Sequence, residues 1–299
     1  MDIIILSQKF FEYSCYMRGY SKDTIRRYKY VINSYCKQAG ITEISQVNDA
    51  NLRALFLYGR TQRHWQTNTY ICFHKSLLVF FRWCVTNGYM DKNPIEGIEK
   101  PKLEKRLPPK LNKKDTLRLL EIVFNYPYEY SYLRYRNHAL FSMFIFAGLR
   151  KQELLNLKFT DVDMENLTIF VRQGKGNKDR IIPMSHTLAQ SLKRYAEQRK
   201  RLSKSCPEFF TSLRGNVGLS DSGLKKLVEN IRETSGLVFT VHKLRHTFAT
   251  LMLEGGCDIY SLSRMMGHSD IKTTTIYLYA SAEHLRSQIT KHPLNDLIR

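Results

Sequence analysis

A proline-rich segment separates two helix-patterned parts of this chain, and it constrains the fold more than any other feature. The segment, residues 94–109, reads PIEGIEKPKLEKRLPP and contains four prolines. Proline lacks a backbone N–H and favours extended backbone at the residue before it, so regular secondary structure is interrupted there. With 299 residues, the chain also exceeds the size at which a single core usually stops growing. The sequence therefore predicts two domains, residues 1–93 and 110–299, joined by a linker at 94–109.

Apolar residues in the first part recur at helical spacing. The clearest set is Ile25, Tyr28, Val31, Ile32 and Tyr35. Ser21 is suited to cap the start of this helix and Gly40 to end it. Two more helices are predicted at about 48–59 and 67–86. The first part is therefore predicted to be an all-helical bundle, whose aromatic residues form a core rather than a platform for stacked bases.

The second part is predicted to be mostly helical with one small β-hairpin. Asn112 can cap a helix, and an apolar helix at 138–147 ends at Gly148. Strands are predicted at 167–171 and 180–183, on either side of the turn GKGNKD. Further helices or helix-and-turn units are predicted at 185–202, 220–234, 242–254, 258–266 and 270–290. The fold class is thus mainly α with a small β-hairpin or sheet.

The chain is strongly basic, which indicates a polyanionic partner. It has 47 Lys and Arg against 27 Asp and Glu, a formal net charge of +20. The excess is shared by both parts: 17 basic against 9 acidic residues up to residue 107, and 30 against 18 after it. Two basic domains on an extended linker could grip a nucleic-acid duplex from opposite sides, whereas a single basic tail would suggest a tethered anchor.

Several other classes of protein are disfavoured by the sequence. No run of about 18 apolar residues is long enough to cross a membrane, and the N-terminus MDIIILSQKF has no basic n-region of a signal peptide. The six cysteines are well separated and do not pair with histidines at zinc-ligand spacing. We therefore expect a soluble intracellular protein without disulfides, a metal site, a cofactor or a small-molecule substrate.

Four motifs in the second part carry residues capable of chemistry. They are AGLRKQEL at 147–154, GKGNKDR at 174–180, HKLRH at 242–246 and LSRMMGHSDIKTTTIYLY at 262–279. Each alone is compatible with an ordinary surface or core. The spacing of His242 and Arg245 places both on one face of a helix. The combination, in this order in a basic two-domain chain, is more informative than any single motif.

This combination resembles the tyrosine recombinases, the phage-integrase and Xer family of enzymes that break and rejoin DNA. The resemblance spans nearly the whole chain and is strongest in AGLRKQELLNL, GKGNKDRIIP, HKLRHTFAT and MGHSDIKTTTIY. It implies a helical, SAM-like core-DNA-binding domain at 1–93 and a mostly α catalytic domain at 110–299. It also implies a site-specific recombinase, whether Xer-like or the integrase of a mobile element.

The resemblance implies six catalytic residues: Arg150, Lys175, His242, Arg245, His268 and Tyr277. Tyr277 takes the position of the nucleophile, and the TTxxY spacing favours it over Tyr279. Glu153 matches an acidic position that orients local structure rather than reacting.

Elementary chemistry gives each of these residues a role. Two guanidiniums, those of Arg150 and Arg245, would stabilise the charge of a pentacoordinate phosphate without Mg²⁺. Tyr277 is mostly protonated near its usual pKa of about 10, so it needs a base, for which His242 is the candidate. Lys175 would protonate the departing 5′ oxygen, and His268 would donate a hydrogen bond to the phosphate. The product is a 3′-phosphotyrosyl intermediate, which permits rejoining without ATP.

The expected partners are double-stranded DNA and further protomers. Exchange between two duplexes requires four protomers, and the family connects them through C-terminal helices. Residues 281–290, with Leu285 and Ile289, are predicted to form such a helix, which could instead pack on its own domain. A paralogous recombinase is a further possible partner, and the expected location is the cytoplasm, in association with the nucleoid.

Three other functions are compatible with parts of the pattern. A topoisomerase-like nicking and rejoining enzyme would use the same residues without a site preference. A DNA-binding accessory protein would keep the fold without catalysis, although all six expected side chains are present. An RNA-binding protein would need exposed aromatic residues on a sheet, and the predicted hairpin is small and basic.

Overall fold

The computed structural model describes residues 1–103, 108–172, 179–268 and 270–280, with only the backbone for residues 279 and 280. The chain divides into two compact units, Met1–Lys105 and Arg106–Arg299. Two predicted features, the hairpin residue Lys175 and the helix at 281–290, lie outside the described residues.

The first unit is helical throughout its regular secondary structure. Its α-helices are α1 (Ile3–Glu12), α2 (Lys22–Ala39), α3 (Asp49–Thr61) and α4 (Thr67–Thr86), with a π-helical turn at Tyr13–Met17 and a 3₁₀ turn at Ile44–Gln46. The Ser21 hydroxyl accepts the backbone N–H of Thr24 at 3.3 Å and so caps α2. Gly40 ends the same helix in the left-handed region, at φ +64°.

Part of the segment predicted as the linker packs on this helical unit. Ile95 and Ile98 are buried in its core together with residues of all four helices. The backbone of the segment is also held, since His74 Nε2 lies 2.9 Å from the Ile98 carbonyl and the Tyr70 hydroxyl donates to the Glu99 carbonyl at 2.9 Å. Burial of the two isoleucines stabilises this attachment.

The second unit combines eight helices with one small sheet among its described residues. The helices are α5 (Lys113–Asn125), α6 (Ser131–Phe146), α7 (Lys151–Leu155), α8 (His186–Arg201), α9 (Asp221–Ser235), α10 (Val241–Glu254), α11 (Ile259–Met266) and α12 (Lys272–Ala280). The strands are β1 (Val162–Asp163), β2 (Thr168–Val171) and β3 (Arg180–Pro183), paired antiparallel in the order β1-β2-β3. The predicted mainly α fold class is confirmed. None of the described helices is long and apolar enough to cross a membrane.

The turn after α6 brings two motifs of the second unit together. Gly148 has φ +60°, and a Cβ atom there would lie 2.2 Å from the ring of Phe248 on α10. Only glycine avoids both the strain and the overlap, so the chain turns sharply and α7 begins against α10. Arg150 and Arg245, nearly a hundred residues apart in sequence, are thereby placed in one polar centre.

Candidate active site

One buried carboxylate, that of Glu153, lies at the centre of a cluster of arginines. Its Oε1 accepts from Arg150 Nη1 at 2.6 Å and from Arg180 Nη1 at 2.9 Å. Its Oε2 accepts from Arg180 Nη2 at 2.8 Å and lies 3.9 Å from Arg245 Nη1. The Glu153 side chain is 6% exposed. Three motifs of the sequence therefore meet at a single anion.

Local structure fixes the first of these pairs. Arg150 is the cap residue of α7, and its backbone N–H donates to Glu153 Oε2 at 2.7 Å. A side chain at the third helical position commonly reaches back to the cap in this way. Arg150 Nη2 also donates to the Gly267 carbonyl at 2.8 Å, which connects α7 to the turn after α11. The Arg150 side chain remains 21% exposed, so a ligand can approach it.

The arginines keep Glu153 ionised. Burial alone would raise the pKa of this carboxyl, but the hydrogen bonds and charges of Arg180 and then Arg150 outweigh burial and lower the pKa to about 2. The cluster of three arginines and one carboxylate therefore keeps an excess of positive charge. Such an excess, fixed in a partly dry site, is suited to a phosphate group.

Arg245 on α10 is almost fully buried. Its guanidinium donates to the backbone carbonyls of Gly148 and Met266, so it joins the turn before α7 to the end of α11. Burial lowers its pKa to about 10, with the charge of Arg150 acting in the same direction. It nevertheless stays protonated at neutral pH, and it is held rigidly.

His268 lies beside Arg245 at the turn between α11 and α12. Its Nε2 is 3.5 Å from Arg245 Nη2, and its Nδ1 is 2.7 Å from Thr274 Oγ1. The turn is set by Gly267, which ends α11 at φ +63°. Burial, followed by the positive charge of Arg245 and then Arg150, lowers the pKa of His268 to about 4. With this pKa, the His268 ring is neutral at physiological pH.

Tyr277 on α12 is buried beside this polar centre. It is 2% exposed and packs in a small apolar cluster with Phe248, Leu262 and Met266. Burial raises the pKa of its phenol, while Arg245 and then Arg150 act to lower it. The two arginines are therefore close enough to influence the ionisation of this hydroxyl.

The hydrogen-bond partner of Tyr277 is His246, a residue with no role in the predicted set. Tyr277 Oη lies 2.7 Å from His246 Nδ1. Burial, then the neighbouring His242 and then Arg245, lower the pKa of His246 to about 4, so its ring is neutral at pH 7. His242, the predicted base, stacks on His246 with ring centroids 5.8 Å apart. The two histidines are four positions apart on α10, a spacing that puts them on one face and is visible in the motif HKLRH.

The structure brings most of the predicted site residues together. Arg150, Arg245 and His268 are linked by the contacts above, and Tyr277 lies against the same centre. His242 contacts it through His246, whereas Lys175 falls outside the described residues. Arg180 and His246 are the additions that sequence reasoning missed. Among the described residues, no group of three or more His, Cys, Asp or Glu is arranged to hold a metal ion.

The neutral state of His246 predicts an acid-dependent loss of stability. Between pH 6.5 and about 4 the unfolded chain binds a proton at this histidine and the folded chain does not, so folding becomes less favourable as pH falls through that range. In His246→Gln, the difference between unfolding midpoints at pH 7 and pH 5 should be smaller than in wild type, measured by calorimetry. The matched control is His186→Gln, at an exposed histidine of α8. Equal acid sensitivity in wild type and both variants would contradict the prediction.

Comparison with known proteins places this fold and site in one family. The model of the phage integrase family matches residues 110–284, which include all four motifs. Tyrosine recombinase XerA of Pyrococcus horikoshii is 33% identical over 291 residues, covering 96% of this chain and 94% of that protein. The chain therefore belongs to the phage integrase family of tyrosine recombinases.

Solved structures of similar fold extend over both parts of the chain. A crystal structure of XerA recombinase is 26% identical, covers 96% of this chain and 98% of that one, and gives a TM-score of 0.54. The XerH site-specific recombinase, bound to palindromic difH substrate in a post-cleavage complex, gives a TM-score of 0.72. It is 22% identical and covers 89% of this chain and 79% of that one, so it supports the fold alone.

Proposed function

We propose that this tyrosine recombinase is a site-specific recombinase that cleaves and rejoins duplex DNA, with Tyr277 as its nucleophile. The observation that carries the proposal is the contact of the buried Tyr277 hydroxyl, 2.7 Å from His246 Nδ1 on α10, the helix that also holds Arg245. Burial raises the pKa of this phenol, and the charges of Arg245 and then Arg150 act to lower it. A phenol has no evident structural need for such a site, because a leucine or phenylalanine would fill the same apolar cluster. A nucleophile that attacks a phosphate does need it.

The arginines supply positive charge, which makes a phosphodiester a better electrophile. Its negative charge repels an incoming oxygen, and the charge grows as the pentacoordinate transition state forms. Arg150 and Arg245 would each donate to the non-bridging oxygens through a planar fork suited to phosphate. Because both guanidiniums are already held by hydrogen bonds to the backbone, little reorganisation is needed during the reaction. His268, 3.5 Å from Arg245, would add a further donor.

The cleavage step follows from this arrangement. Tyr277 Oη forms a bond to phosphorus while the bond from phosphorus to the 5′ oxygen breaks, leaving a 3′-phosphotyrosine and a free 5′-hydroxyl. The phenolic proton passes to a histidine, and the departing oxygen takes a proton from Lys175, the proposed general acid. In the reverse step, a 5′-hydroxyl attacks phosphorus and Tyr277 leaves. Because the phosphotyrosine retains the energy of the original bond, rejoining needs no ATP.

Two histidines are available to receive the phenolic proton. His242 was predicted for this role because Tyr277, as a protonated phenol, needs a base. The 2.7 Å contact favours His246 as the first acceptor, since its neutral ring accepts from Tyr277 Oη when Nδ1 carries no proton. A bound phosphate would raise the pKa of either histidine by adding negative charge.

Duplex DNA is the proposed substrate and partner. The net charge of +20 is spread over both parts of the chain, as expected for a protein that contacts the backbone of a duplex with two domains. The structurally similar XerH is a site-specific recombinase whose crystal structure holds its difH substrate in a post-cleavage complex. We extend this behaviour to the present chain as part of the proposal.

The proposal includes an assembly and a location. Four protomers would act together on two duplexes, connected through the segment 281–290, and a paralogue could occupy two of the four positions. The protein would work in the cytoplasm on nucleoid DNA. Lys175 and His268 are assigned the roles that they have in the predicted set, as proton donor to the 5′ oxygen and as hydrogen-bond donor to the phosphate.

Trapping of the covalent intermediate tests the function directly. Labelled duplexes with a nick near each candidate position, taken from the DNA flanking the gene, are incubated with the protein in EDTA and run on a denaturing gel. A slow-migrating band that disappears with protease is the expected result, because the arginines replace a metal. The absence of such a band from every duplex that the protein binds would contradict the proposal.

A further inference from the structure

We propose that Arg180, the first residue of β3, is a positioning residue for the cleavage reaction. By pairing with Glu153, Arg180 prevents this carboxylate from neutralising the charge of Arg150. This inference rests on the proposed function and adds a residue outside the predicted catalytic set. In sequence, Arg180 is one of three basic residues around the hairpin turn and has no distinguishing feature. In the structure all three nitrogens of its guanidinium donate hydrogen bonds.

The guanidinium of Arg180 forms a two-pronged pair with Glu153. Nη1 donates to Oε1 at 2.9 Å and Nη2 to Oε2 at 2.8 Å, so each donor faces a different carboxylate oxygen. Both side chains are nearly buried, with Arg180 8% and Glu153 6% exposed. A fork-to-fork pair of this kind fixes the plane of the carboxylate as well as its position. The orientation in which Glu153 meets Arg150 is therefore determined by Arg180.

Arg180 is itself fixed from a third direction. Its Nε donates to the Met265 carbonyl at 2.7 Å, near the end of α11. At Gly267, a Cβ atom would lie 2.9 Å from Arg180 Nη1, so the turn that presents His268 lies directly against the guanidinium. Arg180 thus connects β3, of which it is the first residue, to the Glu153 carboxylate and to the turn after α11. Among the described residues, these partners are not ones expected to react.

Charge gives Arg180 its second effect. Glu153 carries one negative charge, and its Oε1 is shared between Arg150 and Arg180. Without Arg180, the carboxylate would be hydrogen-bonded through its side-chain partners to Arg150 alone, at 2.6 Å, with Arg245 at 3.9 Å, and would cancel much of the field that Arg150 presents to a phosphate. With Arg180 in place, the same carboxylate is hydrogen-bonded to two guanidiniums, and these three side chains together carry one net positive charge. The influence of Arg180 extends to Arg245 and His268, whose pKa values it also lowers.

Arg172 offers a matched control on the opposite side of the same hairpin, directly after β2. Its neighbour Val171 is the register partner of Arg180. Its Nε donates to Asp161 Oδ1 at 2.6 Å, so it too is an arginine paired with a buried carboxylate. Removing Arg172 or Arg180 takes one positive charge from the same hairpin. A difference between the two variants therefore reports on the Glu153 cluster rather than on charge near the DNA.

The first experiment compares rates of adduct formation on a nicked duplex that wild type cleaves. Arg180→Gln should form the adduct about 10²-fold more slowly than Arg172→Gln, because misplacement of a group around the reacting phosphate has effects of this size. Both variants should bind the duplex with the same affinity. Arg180→Lys keeps the charge without the fork and should recover part of the rate. A rate for Arg180→Gln within about threefold of that for Arg172→Gln would overturn the proposal.

A second experiment needs no DNA and separates the pairing from the proposed function. Because the folded pKa of Glu153 is depressed to about 2, its ionisation stabilises the fold above the ordinary pKa of 4.5, and this stabilisation is lost as pH falls towards 2. Arg180→Gln should thus lower the urea midpoint most at pH 7 and progressively less towards pH 3. In a Glu153→Gln background the same substitution should have no such pH dependence. If its effect is equal at all pH values, Arg180 acts by packing alone and the proposal is wrong, whether or not wild type cleaves DNA.

Discussion

Tyr277→Phe is expected to bind DNA with wild-type affinity and to form no covalent adduct. The substitution removes one oxygen atom and leaves the ring in its apolar cluster with Phe248 and Met266. Because the phenolic oxygen is the atom that forms the bond to phosphorus, no other atom of the side chain can replace it. The hydrogen bond to His246 is lost as well, at a cost of about 1 kcal/mol, so the protein should remain folded. Denaturing gels measure the adduct and filter binding measures the affinity.

Tyr279→Phe is the matched control for this prediction. Tyr279 is the other tyrosine of the motif and lies two positions further along α12. Its variant should form the adduct at the wild-type rate. An adduct from Tyr277→Phe but none from Tyr279→Phe would transfer the role of nucleophile to Tyr279. Loss of the adduct in both variants, with DNA binding intact, would show that the second hydroxyl also matters for the reaction.

Local interactions explain why much of the fold could be predicted from sequence. Ser21 and Gly40 act on helix ends within four residues of themselves, and their effects were read correctly. The strand at 180–183 has the predicted bounds, since its pattern and the turn before it lie in one short segment. The shorter elements β1 and α7 carry too few residues for a period to be visible, and neither was predicted. Most helices of the second unit were located by apolar patterns or caps, although α6 begins at Ser131, well before the predicted start at 138.

The identities of the site residues could be predicted where a family motif marks their positions. Arg150, Arg245, His268 and Tyr277 were found by their resemblance to a family, and their meeting place could not be derived from sequence distance. The Glu153 carboxylate, which contacts Arg150 and Arg245, pairs with Arg180 through tertiary contacts alone, with no sequence spacing to reveal it.

The sequence does not identify the hydrogen-bond partner of the nucleophile, because one motif contains two histidines that could reach it. His242 and His246 occupy the same helix face, so the sequence cannot decide which ring reaches Tyr277. Packing decides it, because α12 lies against α10 where His246 meets the phenol at 2.7 Å. The role of base was predicted for His242, while the structure gives the contact with Tyr277 to its neighbour His246.

Arg245→Lys is expected to slow adduct formation by about 10²- to 10³-fold, although it conserves charge. Arg245 is 3% exposed, and its guanidinium already donates to two backbone carbonyls, those of Gly148 and Met266. A lysine has one nitrogen and cannot reach both carbonyls and also present a fork to a phosphate. Loss of one preorganised donor to a developing oxyanion has an effect of this magnitude. Single-turnover kinetics on a nicked duplex measure the rate.

The exposed Arg264 on α11 provides the control, since Arg264→Lys makes the same chemical change outside the polar centre and should leave the rate unaltered.

The pH dependence of the rate gives a second check on Arg245→Lys. Burial and the charge of Arg150 already lower the pKa of Arg245 to about 10, and a lysine begins from a lower value, so the same surroundings would bring its pKa closer to neutrality. The deficit of Arg245→Lys relative to wild type should therefore grow between pH 7 and pH 9, as the ammonium loses its proton. If the deficit stays constant across that range, the loss is one of geometry alone and the electrostatic part of the argument fails. A wild-type rate for Arg245→Lys would remove Arg245 from the catalytic set.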